Sequence, residues 1–223
     1  MKSDPKKPAN LFDRRSLLRL GAAGIAGVSL PGLVSAAPGD PAIEFVRESC
    51  GADTGRRALV GYASMCGSTG EIAAAIGKSL CAVGAKVDVR HLPDVTDLSG
   101  YQAFVIGSPI QAGMWINEAM KFLRAHQDTL AKFPVAYFIA CMALSSDKEE
   151  SHKLGQSYVE RPLRMIPKIK PAAMGAFAGK VDYAKMPKRY HGVMRRIVPE
   201  NKDARDWTKI GEWAATLPKV LLG

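Results

Sequence analysis

The 223-residue chain lacks several residue patterns that indicate well-known kinds of site. Its four cysteines are too few for a disulfide scaffold, and no pair has the C-x-x-C spacing of zinc or dithiol sites. The four histidines, at positions 91, 126, 152 and 191, are not spaced as metal ligands. No G-x-S-x-G elbow occurs, and no G-x-G-x-x-G follows a predicted strand. The sequence therefore gives no basis for a hydrolase or a nicotinamide-dependent dehydrogenase.

The overall composition is that of an ordinary globular protein. Hydrophobic residues make up 47% and charged residues 23%, so the chain is neither a disordered tail nor a multi-span membrane protein. The length favours one main domain, and no internal repeat or low-complexity tract is present. The 31 Lys and Arg residues exceed the 21 Asp and Glu residues, which gives a formal charge of +10.

Residues 1–36 have the features of an export signal. Arg14 and Arg15 precede a leucine pair, and a mildly apolar stretch follows. Small residues before and at Ala36 have the pattern of a signal peptidase cleavage site. The paired arginines resemble a twin-arginine (Tat) signal peptide, so we expect a periplasmic or otherwise exported protein. An uncleaved membrane anchor is the alternative, but Pro31 and several glycines interrupt the apolar stretch. Removal of this signal takes away six basic and two acidic residues and leaves a charge of +6.

The remainder of the chain alternates strand and helix patterns. Residues 37–56 are rich in Pro, Gly and charge and are interpreted as a linker or surface strap. From residue 57 onward lies the predicted domain, 57–223. Apolar runs and alternation predict strands at residues 58–63, 86–91, 103–106, 135–141 and 172–178.

Helical periodicity fills the gaps between these strands. Ser68 and Glu71 have capping-box spacing at the start of the first helix. Residues 149–160 form a predicted helix, and Asp206 caps a last helix that Pro218 should stop. Two predicted helical faces are Trp115, Ala119, Phe122 and Leu123, and Trp207, Ile210, Ala214 and Leu217. This alternation predicts an α/β three-layer sandwich with a five-stranded parallel sheet of order 2-1-3-4-5, which binds ligand at the carboxyl ends of its strands.

The loop from Ser64 to Gly70 is the strongest candidate binding element. Three hydroxyl residues and two glycines stand where a helix begins. Helix N-termini present unpaired N–H groups and a partial positive charge, and small residues let a phosphate approach them. The loop contains no Lys or Arg, which favours a permanently held phosphate monoester over a nucleoside triphosphate with its metal.

Here the sequence resembles a known family. The stretch Tyr62-Ala63-Ser64-x-x-Gly67-Ser68-Thr69-x-Glu71-Ile72-Ala73 resembles the FMN-phosphate loop of flavodoxins. It is most similar to the branch that contains the menaquinone-dependent protoporphyrinogen oxidases, and the segment 105–113 resembles the second flavin loop of that branch. The resemblance covers most of residues 57–217 and implies a flavodoxin-like fold with FMN as cofactor.

The resemblance also implies a set of FMN-binding residues. The phosphate would be held by Ser64, Met65, Cys66, Gly67, Ser68 and Thr69. One face of the isoalloxazine would be lined by Ser108, Pro109, Ile110, Gln111, Ala112, Gly113 and Trp115. The other face would be lined by Cys141, Met142, Ala143 and Leu144. No catalytic side chain is assigned.

This set departs from the family pattern in its aromatic residues. Ala112 stands where the oxidase branch often has an aromatic residue, and residues 141–144 supply none. Trp115 is the nearest substitute, although its spacing suits a core position equally well.

The cysteines leave several interpretations open. Cys81 fits the core side of the first helix, and Cys50 would pair only after export. Cys66 and Cys141 fall on loops at the same predicted sheet edge, where a pair, a redox role or simple small-residue packing are all conceivable.

The resemblance implies an FMN-dependent oxidoreductase that passes electrons to a quinone, and the predicted signal peptide implies that it is exported. The export signal argues against a haem precursor as its substrate, because that chemistry is normally cytoplasmic. One alternative is an electron-transfer module with a redox protein partner, although such carriers are usually strongly acidic. Another is a flavin-free binding domain that kept the fold.

Residues 180–202 are strongly basic with interleaved apolar side chains. They are interpreted either as a solvated segment covering the sheet or as a surface for anionic lipid headgroups or a carboxylate-bearing substrate. A nucleic-acid partner is not expected for an exported protein.

Overall fold

The computed structural model describes residues 39–52 and 56–223, and the predicted export signal lies outside them. The central sheet has the strand order β1-β3-β2-β4-β6-β7, with a short β5 paired to β4. Its strands are β1 Glu48–Cys50, β2 Arg57–Tyr62, β3 Lys86–His91, β4 Ala103–Gln111, β5 Met114–Trp115, β6 Val135–Cys141 and β7 Ala173–Ala178. All five long strands are parallel, so the predicted order 2-1-3-4-5 is confirmed.

Two helical layers cover the sheet. The helices are α1 Ser68–Ala82, α2 Asn117–Ala125, α3 Gln127–Leu130, α4 Glu149–Val159, α5 Arg161–Met165, α6 Lys188–Met194 and α7 Trp207–Leu221. Helices α1 and α7 pack on the face of the sheet that carries Val60 and Phe138. Helices α2 and α4 bury apolar residues on the other face, which carries Leu59 and Tyr137. The predicted three-layer sandwich is thus confirmed.

The segment predicted as a linker or strap lies against the domain. We call residues 39–52 the strap. Its last part, β1, pairs antiparallel with β3, so that Glu48 faces Val89 and Cys50 faces Val87. Cys50 forms a disulfide with Cys81 of α1. The strap therefore adds an antiparallel edge strand to the five parallel strands that the sequence predicts.

The junction of β1, β2 and β3 contains a buried carboxylate, Asp88. It accepts hydrogen bonds from Arg57 at 2.7 and 2.9 Å, from Ser49 at 2.5 Å and from the Tyr101 hydroxyl at 2.9 Å. Burial alone would raise the pKa of Asp88, but these hydrogen bonds and the nearby charge of Arg90 lower it below its usual value. The carboxylate is therefore held ionised, and it joins the strap to the sheet.

Two predicted helix limits and one predicted helical face are wrong. Helix α2 begins at Asn117, and Trp115 belongs to β5 because Ala112 and Gly113, with φ of 49° and 76°, form a tight turn after β4. Helix α7 continues past Pro218 to Leu221, so the proline lies inside the helix instead of ending it. Its Trp207 is 46% exposed, outside the predicted buried face.

The cap of the first helix also differs from the prediction, whereas the cap of the last is confirmed. Gly67 with a φ of 85° is the N-cap of α1, and no side chain caps that helix. Glu71 pairs with Arg205 instead of closing a capping box. Asp206 does cap α7, accepting a hydrogen bond from the Lys209 amide.

Between β7 and α7 the chain makes an excursion over residues 180–203. The short strands β8 Lys180–Val181 and β9 Lys202–Asp203 pair antiparallel and bracket α6. Val181, Tyr183 and Val198 form a small core that also packs against Met142, after β6. The basic segment is thus folded against the carboxyl edge of the sheet.

Within residues 39–52 and 56–223, none of the helices has the length and apolarity needed to cross a bilayer.

Candidate functional site

Three loops meet at the carboxyl edge of the sheet. We call residues 63–69, after β2, the phosphate loop. The second loop is residues 108–116, which include the end of β4 and all of β5, and the third loop is residues 141–145, which begin at the last residue of β6. The three strands are adjacent and parallel, and the Ala63 amide donates to the Gly107 carbonyl at 2.9 Å. The structure therefore brings the predicted FMN-binding residues to one edge.

The phosphate loop makes a tight turn into α1. The Gly67 amide donates to Ser64 Oγ at 2.9 Å, and the Gly70 amide donates to the Gly67 carbonyl at 2.9 Å. The left-handed conformation of Gly67 is one that glycine adopts without the cost other residues incur. No side chain caps α1, and uncapped amides at a helix start are the groups that bind anions in proteins.

Close packing against β2 holds this turn in place. A Cβ added at Gly70 would lie 2.7 Å from the Tyr62 ring, so only glycine allows α1 to approach the strand this closely. Thr69 is buried, and Tyr62 is fully buried. The turn is thus built on a rigid base, as an anion-binding turn needs to be.

A buried cation that the sequence did not predict lies beside the loop. The Arg205 side chain, 3% exposed, binds Glu71 at 2.6 Å and Asp203 at 2.8 Å, and it lies 3.4 Å from the Ser68 carbonyl. Burial alone would lower the pKa of Arg205, but its two carboxylate partners raise it overall. Arg205 is 134 residues from Glu71 in the chain, and no local pattern signals this contact.

In the second loop, two side chains predicted to bind FMN instead form hydrogen bonds with backbone groups of the protein. Ser108 Oγ donates to the Pro109 carbonyl at 2.8 Å and accepts from the Ile116 amide at 3.1 Å. Trp115 is 3% exposed, and its Nε1 donates to the Tyr158 carbonyl at 3.0 Å. Trp115 therefore occupies the core position that its spacing also suited.

The exposed part of the second loop has an aromatic neighbour that no sequence pattern predicts. A Cβ placed on Gly113 would lie 3.4 Å from the Tyr158 ring and 3.7 Å from Arg161 Nη2. The Arg161 guanidinium lies over the Tyr158 ring at 5.5 Å and contacts Met114 Sδ at 3.0 Å. Helix α4 thus supplies an aromatic ring beside the turn at Ala112 and Gly113, and α5 supplies a guanidinium.

The third loop is a 3-10 turn at Met142–Leu144. Pro109 and Ile110 of the second loop and Cys141, Met142 and Leu144 of the third are partly buried, whereas Gln111, Ala112 and Ala143 are exposed. A cavity of about 360 Å³ opens beside Leu144, between α4 and the end of β7, and Ser145, His152 and Lys209 are among its lining residues.

Two free thiols lie at this edge, Cys66 and Cys141. Burial and the negative charge of Asp182 raise the pKa of Cys66 to about 11. Burial also raises the pKa of Cys141. Both thiols are therefore protonated near neutral pH and poor nucleophiles, and they do not form the pair that the sequence left open.

Residues 59–208 match the family model described as Flavodoxin domain, and the chain belongs to this family. The search of the curated proteins found no match.

Solved structures with a similar fold include oxidised flavodoxin 1 from Bacillus cereus, with 18% identity over 74% of this chain and 99% of that chain and a TM-score of 0.48. A flavoprotein in complex with FMN from Lactobacillus acidophilus has 15% identity over 54% of this chain and 92% of that chain, with a TM-score of 0.40. The Flv1 flavodiiron core from Synechocystis has 12% identity and a TM-score of 0.48; the match covers 75% of this chain but 37% of that longer chain.

Proposed function

We propose that the protein is an exported oxidoreductase that binds FMN at the carboxyl edge of its sheet. The observation that carries this proposal is the phosphate loop: an uncapped helix N-terminus, a left-handed Gly67 and hydroxyl side chains at one turn, in a member of the flavodoxin family. A bound flavin would supply the redox chemistry, and the protein would position it and tune its potential.

The charges around the loop fit a phosphate monoester. Glu71 in the first turn would repel an anion, but the Arg205 guanidinium binds it at 2.6 Å and offsets its charge. Ser68 and Thr69 place hydroxyls and backbone amides at the helix start, where the dipole favours negative charge. Arg205 itself already binds two carboxylates, so we assign it a positioning role rather than direct phosphate contact.

The flavin ring would lie between the second and third loops. Its contacts in the second loop would come from the backbone and side chains of residues 109–113, because the Ser108 and Trp115 side chains are buried in the protein. The third loop would contribute residues 141–144. Within this loop, Met142 packs against the small apolar core of the excursion. Tyr158 of α4 would place an aromatic ring beside Gly113 of the second loop, next to the proposed flavin position.

Export and a membrane-bound quinone acceptor extend the proposal. The Cys50–Cys81 disulfide suits an oxidising compartment, as does the predicted signal peptide. On the excursion, Val193 and Ile197 are 43% and 49% exposed, next to the basic pair Arg195 and Arg196. Apolar side chains rimmed by cations match a surface of anionic lipid, where a quinone would be reached.

Substitution of Ser68 tests the phosphate site. Ser68→Asp places a negative charge in the first turn of α1, where the helix dipole tolerates it, but directly against a phosphate. At contact distance such repulsion amounts to several kcal/mol, so we expect FMN affinity to fall at least about a hundredfold. Ser68→Asn is the matched control, because it has the same shape without the charge and should retain most of the affinity.

Binding is measured by fluorescence quenching of FMN, with the visible spectrum of the purified protein as the first check. A colourless protein that never takes up FMN would reject the proposal and leave the flavin-free binding domain. Anaerobic mixing of the reduced holoprotein with a menaquinone analogue then tests the acceptor. Rapid reoxidation supports the quinone, whereas no reoxidation by the analogue would favour a protein partner.

A further inference from the structure

We propose that the Cys50–Cys81 disulfide locks the strap over the phosphate loop and so controls access to that loop. This inference rests on the proposed function only for the identity of the ligand. The position of the strap, its anchors and the cross-link are properties of the chain itself.

The strap lies directly against the turn that begins α1. A Cβ added at Gly67 would lie 3.5 Å from Ile43 Cγ2 and 3.7 Å from the Glu44 carbonyl. Residues 43–44 therefore form the outer wall of the phosphate loop. A ligand that reaches the first amides of α1 has this wall on one side, and its release depends on how often the wall opens.

Noncovalent contacts fix the strap along its length. The Phe45 ring stacks on His91 with centroids 3.8 Å apart, and the Tyr62 hydroxyl donates to the Val46 carbonyl at 3.0 Å. Near the start of the strap, Asp40 forms an ion pair with Arg189 of α6. The strap thus bridges from the sheet to the excursion and passes over the phosphate loop between them.

The disulfide adds a covalent anchor to these contacts. Cys50 is the last residue of β1, and Cys81 lies in the last turn of α1, the helix whose first turn belongs to the phosphate loop. Strap and loop are therefore cross-linked through one helix. Without the bond, the strap keeps the three-residue β1, the hydrogen bond from Ser49 to Asp88, and the packing of Phe45 and Val46 on the core. Local opening of the strap is then limited by these noncovalent contacts alone.

Both cysteines are partly exposed, so a small thiol can reach them. Reduction adds two electrons and two protons to the disulfide, giving two thiols, while dithiothreitol is oxidised to its cyclic disulfide. Oxidation is the reverse and needs a disulfide-bearing oxidant, which is reduced to its dithiol. A chain that is reduced in the cytoplasm would take up its ligand there and retain it once oxidised after export.

The first test needs no ligand. The purified full chain with its disulfide intact is compared with the double variant Cys50→Ser, Cys81→Ser by hydrogen exchange and by N-ethylmaleimide labelling. We expect amides of residues 43–47 to exchange at least about tenfold faster in the variant, and Cys66, next to Gly67, to be alkylated correspondingly faster. Peptide mapping reads Cys141 in the same sample as the control thiol, because it lies in the third loop and should change little.

The second test measures release of FMN from the holoprotein in the presence of excess competing apoprotein. Dithiothreitol should speed release at least about tenfold from the native chain and leave the double variant unchanged. Unchanged exchange and labelling would overturn the locked strap whether or not FMN binds. A strap that loosens while FMN release stays constant would overturn its control of access. Failure to bind FMN would count against the proposed function, while exchange and Cys66 labelling would still decide whether the strap gates the loop.

Discussion

Loss of the Cys50–Cys81 disulfide should also lower the global stability of the protein, by an amount that follows from its position in the chain. The bond joins residues separated by 31 positions. In the chain-entropy description, cross-linking a loop of this length restricts the unfolded chain by about 3.7 kcal/mol at 25 °C. We therefore expect the double variant Cys50→Ser, Cys81→Ser to unfold with a free energy roughly 3 to 4 kcal/mol below that of the native chain.

Guanidinium unfolding, followed by far-ultraviolet circular dichroism, measures this difference. The native chain with and without dithiothreitol is compared with the double variant under both conditions. Reduction should move the native midpoint to that of the variant, whereas the variant should not respond. Because the cross-linked unfolded chain is more compact, the dependence on denaturant should also steepen when the bond is lost. The corresponding drop in Tm is roughly 7 to 15 °C for a domain of this size.

A loss below about 1 kcal/mol would refute this reasoning, because the cross-link would then hardly restrict the unfolded chain. A loss well above about 5 kcal/mol would refute it differently, since it would mean that β1 and its contacts also collapse when the bond is removed. Hydrogen exchange in β3, the partner strand of β1, separates these two outcomes.

Three further predictions follow from the site and its surroundings. Gly67→Ala and Gly84→Ala, at φ values of 85° and 89°, should each cost roughly 1 kcal/mol of stability, but only Gly67→Ala should weaken FMN binding, measured by fluorescence titration. Asp88→Asn should cost about 3 kcal/mol at pH 7. Because the folded pKa of Asp88 is depressed, the native advantage is full above the unfolded pKa, and chemical unfolding should show it being lost as the pH falls through the lowered folded pKa. Arg195→Glu with Arg196→Glu should reduce co-sedimentation with anionic vesicles at least about tenfold, and native protein that binds neutral vesicles equally well would contradict the proposed surface.

The sheet could be predicted from the sequence because parallel strands covered on both faces are continuous apolar runs. Strand β6, from Val135 to Cys141, is such a run and lies inside the sheet. The edge strand β1 carries no such signal, because its residues are Glu48, Ser49 and Cys50 and only Cys50 is partly buried. Its place depends on a cross-link and on Asp88, which are tertiary contacts.

The candidate site could be predicted as three loops but not as a set of contacts. The loops follow from strand order, since adjacent parallel strands end at one edge. Trp115 was predicted on a helical face, but it lies in β5. The turn that places it there contains Ala112, and no sequence pattern indicates that this alanine takes a positive φ. Arg205 and Tyr158 reach the site from distant helices or loops, and no short-range spacing encodes such an approach.

The antiparallel pairing of β1 with β3 has a consequence for self-association. An uncovered β3 would present a row of free amides and carbonyls, a template on which strands of other molecules can add. The three residues of β1 occupy that template, and their own outer side is too short and too polar to extend the sheet. Strand β1 thus gives the protein its own barrier against polymerisation, placed at the edge of the sheet.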